Sequence, residues 1–142
     1  MSEIQAPHRL KLLLVEDHDD TAVMLKLLLE SYGYDVDTAG SVARSLEMAQ
    51  RQSYDALISD LGLPDGSGLE LVAALRRSGI DIPAIALSGF GRESDIEESR
   101  GAGFAAHLVK PVDADRLAAA VEEIAAKARR SKGIAGPSDQ LV

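Results

Sequence analysis

The chain has 142 residues, 46% hydrophobic and 27% charged, which suits one globular domain with a sizeable core and is hard to reconcile with two. Its 15 basic and 23 acidic side chains give a net charge of −8, which disfavours nucleic acid and favours a cation or a protein as partner. There is no cysteine, no secretory signal pattern and no apolar run of about 18 residues. The chain therefore has no disulfide or thiolate metal site, and we expect a cytoplasmic protein with no membrane contact.

Five short segments predict β-strands, each followed by polar, charged or glycine residues. They cover residues 10–15, 34–39, 55–60, 82–87 and 105–109. The first is a nearly continuous apolar run, typical of a strand buried on both faces of a parallel sheet. Pro83 lies at the opening of the fourth, where a missing backbone donor is tolerated.

Between the strands, apolar residues recur at intervals of three and four, the spacing of amphipathic helices. Four predicted helices are defined by Ala22, Leu25, Leu28, Leu29 and Tyr32; Val42, Leu46 and Ala49; Leu69, Val72 and Leu75; and Leu117, Val121 and Ile124. Asp19 or Asp20, Ser41 and Asp113 are the predicted N-terminal caps. The third helix is expected to close near Gly79.

The remaining helix, over residues 92–100, is the weakest, because Ile96 is its only large apolar residue. A helix that buries so little apolar surface is held by a small free energy and shifts easily. We therefore expect it to be the mobile element of the domain.

Alternating strands and helices with short connections predict a doubly wound (βα)5 α/β sandwich of the flavodoxin-like class. Its parallel five-stranded sheet would have the order 2-1-3-4-5. This domain would span residues 10–128, after a leader of residues 1–9. The polar segment 129–142 predicts a disordered tail.

The chemical groups stand where the predicted strands end. Strand one delivers Glu16 and Asp17, strand three Asp60, strand four Ser88 and strand five Lys110. Parallel neighbours would bring all five side chains to one edge of the sheet. The three carboxylates would repel one another unless a cation lies between them, and oxygen ligands suit Mg²⁺. With Mg²⁺ and Lys110, this site would be electrically neutral.

A neutralised carboxylate in this setting can attack a phosphoryl donor, so Asp60 is a candidate to become an aspartyl phosphate. Phosphoryl transfer needs positioning and charge stabilisation, which the metal, Lys110 and the Ser88 hydroxyl could supply. Gly62 has no side chain, so its backbone carbonyl could approach the metal. The glycines of residues 62–68 are turn residues, because no GxxxxGK pattern is present.

The ordered set of motifs resembles the receiver domain of two-component response regulators over roughly residues 10–128. The motifs are Glu16-Asp17, Ser-Asp-Leu-Gly-Leu-Pro-Asp-Gly-Ser-Gly-Leu-Glu-Leu from Ser59 to Leu71, Ser88-Gly89 and Lys110-Pro111. The resemblance implies a signalling domain rather than an enzyme acting on a free substrate. It also implies a histidine kinase or a histidine phosphotransfer protein as the phosphoryl donor.

The resemblance assigns roles to the same residues. Asp60 would be the phosphoacceptor, and Asp17, Asp60 and the Gly62 carbonyl would bind Mg²⁺. Glu16 would contribute through metal-bound water. Ser88 and Lys110 would hold the phosphoryl group. A cis bond between Lys110 and Pro111 is also implied, and such bonds cost little before proline.

The sequence departs from the family at His107, where members usually carry Tyr or Phe, a ring that turns inward on phosphorylation. Histidine changes charge near neutral pH, so switching by Ser88 and His107 would be sensitive to pH or would work differently from that of the family. As a second departure, we expect no DNA-binding or catalytic output domain after the receiver. The expected type is a stand-alone receiver or one from a hybrid histidine kinase, whose output is a contact with a downstream protein.

Other interpretations remain open. A receiver-like adaptor that works without phosphorylation would lack Mg²⁺ binding, and the complete residue set argues against it. A small Mg²⁺-dependent phosphatase would need a second carboxylate soon after Asp60, where Gly62 stands. His18 is expected to be merely exposed. The basic residues of segment 127–132 are expected to complement the dipole of the last helix.

Overall fold

The computed structural model describes residues 9–89 and 93–133. The predicted leader, apart from residue 9, and the end of the predicted tail at 134–142 lie outside the described residues, as do residues 90–92. The elements are β1 (Lys11–Val15), α1 (Asp19–Ser31), β2 (Asp35–Ala39), α2 (Val42–Arg51), β3 (Ala56–Asp60), β4 (Gly62–Leu63), β5 (Gly66–Ser67), α3 (Gly68–Arg77), β6 (Ala84–Ser88), α4 (Glu93–Ala102), β7 (Ala106–Val109) and α5 (Ala114–Gly133).

Five strands form one parallel sheet in the order β2-β1-β3-β6-β7. Counting only these strands, the order is 2-1-3-4-5, so the predicted flavodoxin-like topology is confirmed. The strands β4 and β5 are additional to the prediction. They form a separate antiparallel hairpin directly after β3.

Helices cover both faces of the sheet, which divides the core into two clusters. One cluster joins alternate residues of the sheet to Leu25 and Leu29 of α1 and to Leu117 and Val121 of α5. The other joins the opposite face to helices α2 and α3. The central strands β3 and β6 are buried at every position, as expected of strands covered on both faces.

Most predicted helix boundaries are confirmed by hydrogen bonds. The Ser41 side chain accepts from the Arg44 N–H at the start of α2. The Asp113 side chain accepts from the Asp115 N–H at the start of α5. Helix α3 ends beside Gly79, whose φ of +79° suits glycine at a helix terminus.

Three predictions about the helices were wrong. Helix α1 is preceded by His18 as its N-cap residue, without a side-chain cap, and Asp19 and Asp20 lie inside its first turn. Tyr32 lies after the end of α1 as its C-cap residue, is 47% exposed, and donates to Asp115. Helix α5 continues to Gly133, so the chain is helical where the disordered tail was expected to begin.

Candidate functional site

The register of the parallel strands brings the predicted acidic residues together. Val15, at the end of β1, pairs with Ser59 of β3, so Glu16 and Asp17 follow β1 at the level of Asp60. Asp60 and Glu16 are 7% and 2% exposed, whereas the Asp17 side chain is 30% exposed. The three carboxylates therefore lie at the carboxyl edge of the sheet, as the strand ends predicted.

Lys110, which follows the edge strand β7, links two of these carboxylates. Its Nζ donates to Asp60 Oδ2 at 2.7 Å and to Glu16 Oε1 at 2.9 Å. Burial alone would lower the pKa of Lys110, but the bonds to Asp60 and Glu16 outweigh it and raise that pKa. Lys110 is therefore a charged ammonium beside the Asp60 carboxylate. The peptide bond between Lys110 and Pro111 is cis, as the resemblance implied.

Glu16 is held as a carboxylate despite being buried. Burial would raise its pKa, but hydrogen bonds from Lys110 and His18 prevail and lower it. His18 donates its backbone N–H to Glu16 Oε2 at 3.1 Å, and its Nδ1 lies 3.0 Å from the same oxygen. The bond to Glu16 and the charge of Asp17 raise the pKa of His18.

The expectation that His18 is merely exposed is therefore incomplete. Its side chain is 72% exposed, yet the ring lies against Glu16 and 3.4 Å from Asp17 Oδ1. A signal for this contact was present, since His18 directly follows the Glu16-Asp17 pair and so lies at the edge of the same pocket.

Potential ligand atoms of Glu16, Asp17, His18 and Asp60 all lie within 4.8 Å of one another. This is close enough for several of them to share one cation. The carboxylate oxygens are the donors that Mg²⁺ prefers, and three carboxylates with Lys110 leave a net charge that a divalent ion would neutralise. The residues present thus fit a divalent cation.

Gly62 enters the pocket through its amide group. Its N–H lies 3.3 Å from Asp60 Oδ1 and donates to it. A Cβ atom at Gly62 would meet nothing within 4 Å, so the absence of a side chain is not a steric requirement of the pocket. The predicted role of its carbonyl stays a prediction.

Ser88 and His107 are bonded to each other. Ser88 Oγ at the end of β6 lies 2.7 Å from His107 Nε2 on β7. On the other side of the ring, Nδ1 lies 2.9 Å from Ser99 Oγ on α4. Ser99, which is 1% exposed, was not among the predicted site residues. A signal was available, because Ser99 lies three residues after Ile96 and so on the same helix face.

The fold and the pocket define a class of protein: a flavodoxin-like α/β domain whose strand-edge pocket combines carboxylates with a lysine. Residues 12–122 match the family model described as the response regulator receiver domain. The chain belongs to this family of signalling domains. Among the helices of residues 9–89 and 93–133, none combines the length and apolarity that a bilayer span requires.

Relatives of this chain include cell cycle response regulators. The response regulator CtrA of Brucella ovis is 35% identical over 126 residues, which are 87% of this chain and 52% of CtrA. The chain thus spans about half the length of that relative. It is also 33% identical, over 84% of its own length, to an uncharacterized 14.6 kDa protein of Leptolyngbya boryana, of which it covers 93%.

Solved structures of receiver domains share the fold. The signal receiver domain of a LuxO repressor protein from Vibrio parahaemolyticus superposes with a TM-score of 0.86 at 25% identity, covering 92% of this chain and 100% of that domain. Chemotaxis protein CheY4 of Vibrio cholerae gives a TM-score of 0.78 at 28% identity, covering 82% of this chain and 99% of CheY4. The chain is similar in fold to both.

Proposed function

We propose that this chain is a phosphoacceptor receiver in which Asp60 takes a phosphoryl group from a histidine kinase or a histidine phosphotransfer protein. The observation that carries the proposal is the pair of short contacts from Lys110 Nζ to Asp60 and Glu16. A buried carboxylate beside a fixed ammonium is arranged to receive an anion. A histidine kinase takes its phosphoryl group from ATP, directly or ahead of a phosphotransfer protein, and this supports a cytoplasmic location.

Each pocket residue has a role in this reaction. An Asp60 carboxylate oxygen attacks phosphorus, and the bond from phosphorus to the donor nitrogen breaks, with its electron pair leaving on the nitrogen. Lys110 stabilises charge on the phosphoryl oxygens, and the Ser88 hydroxyl donates to one of them. Asp17, Asp60 and the Gly62 carbonyl would hold Mg²⁺, with Glu16 contributing through water, and the bound ion would supply further charge neutralisation.

The output we propose is a change of protein contact on the face formed by α4, β7 and α5. Ser88 connects the pocket to this face through His107, which lies between β6 and α4. A phosphoryl group that recruits the Ser88 hydroxyl would bias the position of α4. The downstream partner is then a protein.

A second surface supports docking of the phosphoryl donor. Three large apolar side chains of α1, the helix that begins beside the pocket, are exposed: Val23 (57%), Met24 (59%) and Leu27 (61%). They lie on one side of the helix, and exposed apolar patches commonly mark protein contacts. We assign this patch to the donor protein because the donor must reach Asp60.

The proposal is tested by intact mass after incubation with a small acyl-phosphate donor. We expect the wild type to gain one phosphoryl group when Mg²⁺ is present and none when a chelator removes it. Asp60→Asn should gain none, whereas the matched variant Asp81→Asn, at an exposed loop position, should behave as the wild type. A wild type that gains nothing would contradict the proposal and favour a phosphorylation-independent adaptor. Release of phosphate from small phosphoesters would instead favour the phosphatase.

A further inference from the structure

The His107 ring joins two serines on different elements. Ser88 Oγ approaches Nε2 at 2.7 Å, and Ser99 Oγ approaches Nδ1 at 2.9 Å. Ser99 Oγ also donates to the Ile96 carbonyl at 2.9 Å. The polar groups thus form a continuous chain from the end of β6, through β7, to the backbone of α4.

The direction of these hydrogen bonds follows from which of the oxygen and nitrogen atoms carries a proton. A serine hydroxyl has one proton, and that of Ser99 is given to Ile96. Ser99 Oγ must therefore accept from His107, which places a proton on Nδ1. In a neutral imidazole the other nitrogen is then an acceptor, so Nε2 accepts from the Ser88 hydroxyl.

The His107 ring is not enclosed on all sides. A cavity of about 90 Å³ borders the ring and is lined by Ile96, Ser99, Arg100, Phe104 and Ala105 among others. Ser99 is the only buried member of α4 among its described side chains. The ring thus links the sheet to the buried serine of this helix.

We infer that Ser99 is a positioning residue: by fixing the His107 tautomer, it makes the Ser88 hydroxyl donate to the ring before phosphorylation. This rests on the proposed function of Asp60. A phosphoryl group on Asp60 competes for the same Ser88 proton. When the Ser88 hydroxyl donates to the phosphoryl group instead, His107 Nε2 loses its hydrogen-bond donor. The ring can then leave Ser88, and α4 loses its polar link to β6.

The inference is tested on the unphosphorylated protein by ¹⁵N NMR of the histidine ring at slightly alkaline pH. We expect His107 Nδ1 to resonate as a protonated nitrogen and Nε2 as an unprotonated one. Ser99→Ala should shift the tautomer ratio toward protonated Nε2 by about fivefold, the effect of one neutral hydrogen bond. Ser94→Ala, at an exposed position of the same helix, should leave the ratio unchanged.

Two results would overturn the role of Ser99: a wild-type His107 protonated on Nε2, or a tautomer ratio that Ser99→Ala leaves unchanged.

A second measurement extends the test to function. In Ser99→Ala the ring can donate to Ser88, which frees the Ser88 proton for the phosphoryl group, so the phosphorylated fraction at a fixed donor concentration should rise severalfold. A fraction equal to that of Ser94→Ala would overturn the link to Ser88. If neither the wild type nor any variant forms an adduct, the proposed function is overturned. The role of Ser99 is decided separately, by the His107 tautomer in the unphosphorylated protein.

Discussion

Gly68 is the residue on which the position of the Asp60 backbone depends. A Cβ atom built on Gly68 would lie 2.7 Å from the Asp60 carbonyl oxygen and 3.0 Å from Ser59 Oγ. Because the first contact is with backbone, it cannot be relieved by rotating a side chain. Glycine is thus required here for close approach of α3 to the end of β3.

We predict that Gly68→Ala lowers the free energy of unfolding by about 1–3 kcal/mol, the usual cost of overpacking. Urea denaturation measures this change. Gly62→Ala is the matched control, since a Cβ at that position meets nothing within 4 Å and the expected change is small. If Gly68→Ala and the wild type unfold at the same urea concentration, the backbone at Asp60 can shift to accommodate the Cβ atom without loss of stability, which would contradict the prediction.

Residues at the ends of strands were predictable, whereas for His18 and Ser99 the sequence indicated a nearby position but not the hydrogen bonds they form. Asp60 and Lys110 could be placed at one edge because parallel strands share a direction. The ring contact of His18 and the bond from His107 to Ser99 depend on side-chain rotamers and on how α4 packs, which sequence periodicity does not specify.

The small β4–β5 hairpin follows β3 and contacts the start of α2 through Asp65. Asp65, in its turn, accepts from the Val42 N–H at 2.8 Å and the Ala43 N–H at 3.0 Å, at the N-terminus of that helix. These bonds lower the pKa of Asp65. Asp65 therefore contributes stability that is present above the pKa of the unfolded chain and is lost as pH falls through the lower, folded value.

We predict that Asp65→Asn is less stable than the wild type at neutral pH and that the difference shrinks as the solution is acidified. Thermal unfolding from neutral to strongly acidic pH measures the difference. Asp81→Asn provides the comparison for loss of an exposed aspartate outside the hairpin. A difference that is constant with pH would contradict the role of the ionised carboxylate.

Helix α4 is the element that the sequence predicted to be weakest. Neither core cluster contains a residue of α4, whereas α3 contributes Leu71, Val72 and Leu75. We predict that amide hydrogens of α4 exchange faster than those of α3, and that phosphorylation changes exchange in α4 more than in α3. Mass spectrometry of peptides from each helix tests both. Equal protection of α3 and α4, or exchange in α4 that phosphorylation leaves unchanged, would contradict this account.

Element types were predictable from periodicity, but short elements were not. Four of the five sheet strands lie within the predicted segments, as their apolar runs indicated, and β6 extends one residue beyond its segment, to Ser88. Strands β4 and β5 have two residues each, which is too short for any alternation to be visible. The continuation of α5 to Gly133 was missed because its last turns are polar, and a polar segment is typical of both exposed helix and tail.

At the scale of the molecule, the topology and the acidic pocket agree with the family to which the chain belongs. The order of motifs along the sequence was sufficient to predict that agreement, since each motif falls at a strand end of one known topology. The proposed partners bind at two different surfaces, the phosphoryl donor at α1 and the downstream protein at the α4–β7–α5 face.

The central claim is that Asp60 receives the phosphoryl group, and the most direct test is to locate that group. After reaction with an acyl-phosphate donor and Mg²⁺, borohydride reduces an aspartyl phosphate to homoserine, which tandem mass spectrometry assigns to a residue. The account predicts homoserine at position 60 and at no other aspartate. Homoserine at position 17 or at another acidic position would contradict the claim. So would the absence of homoserine from protein that has gained a phosphoryl group.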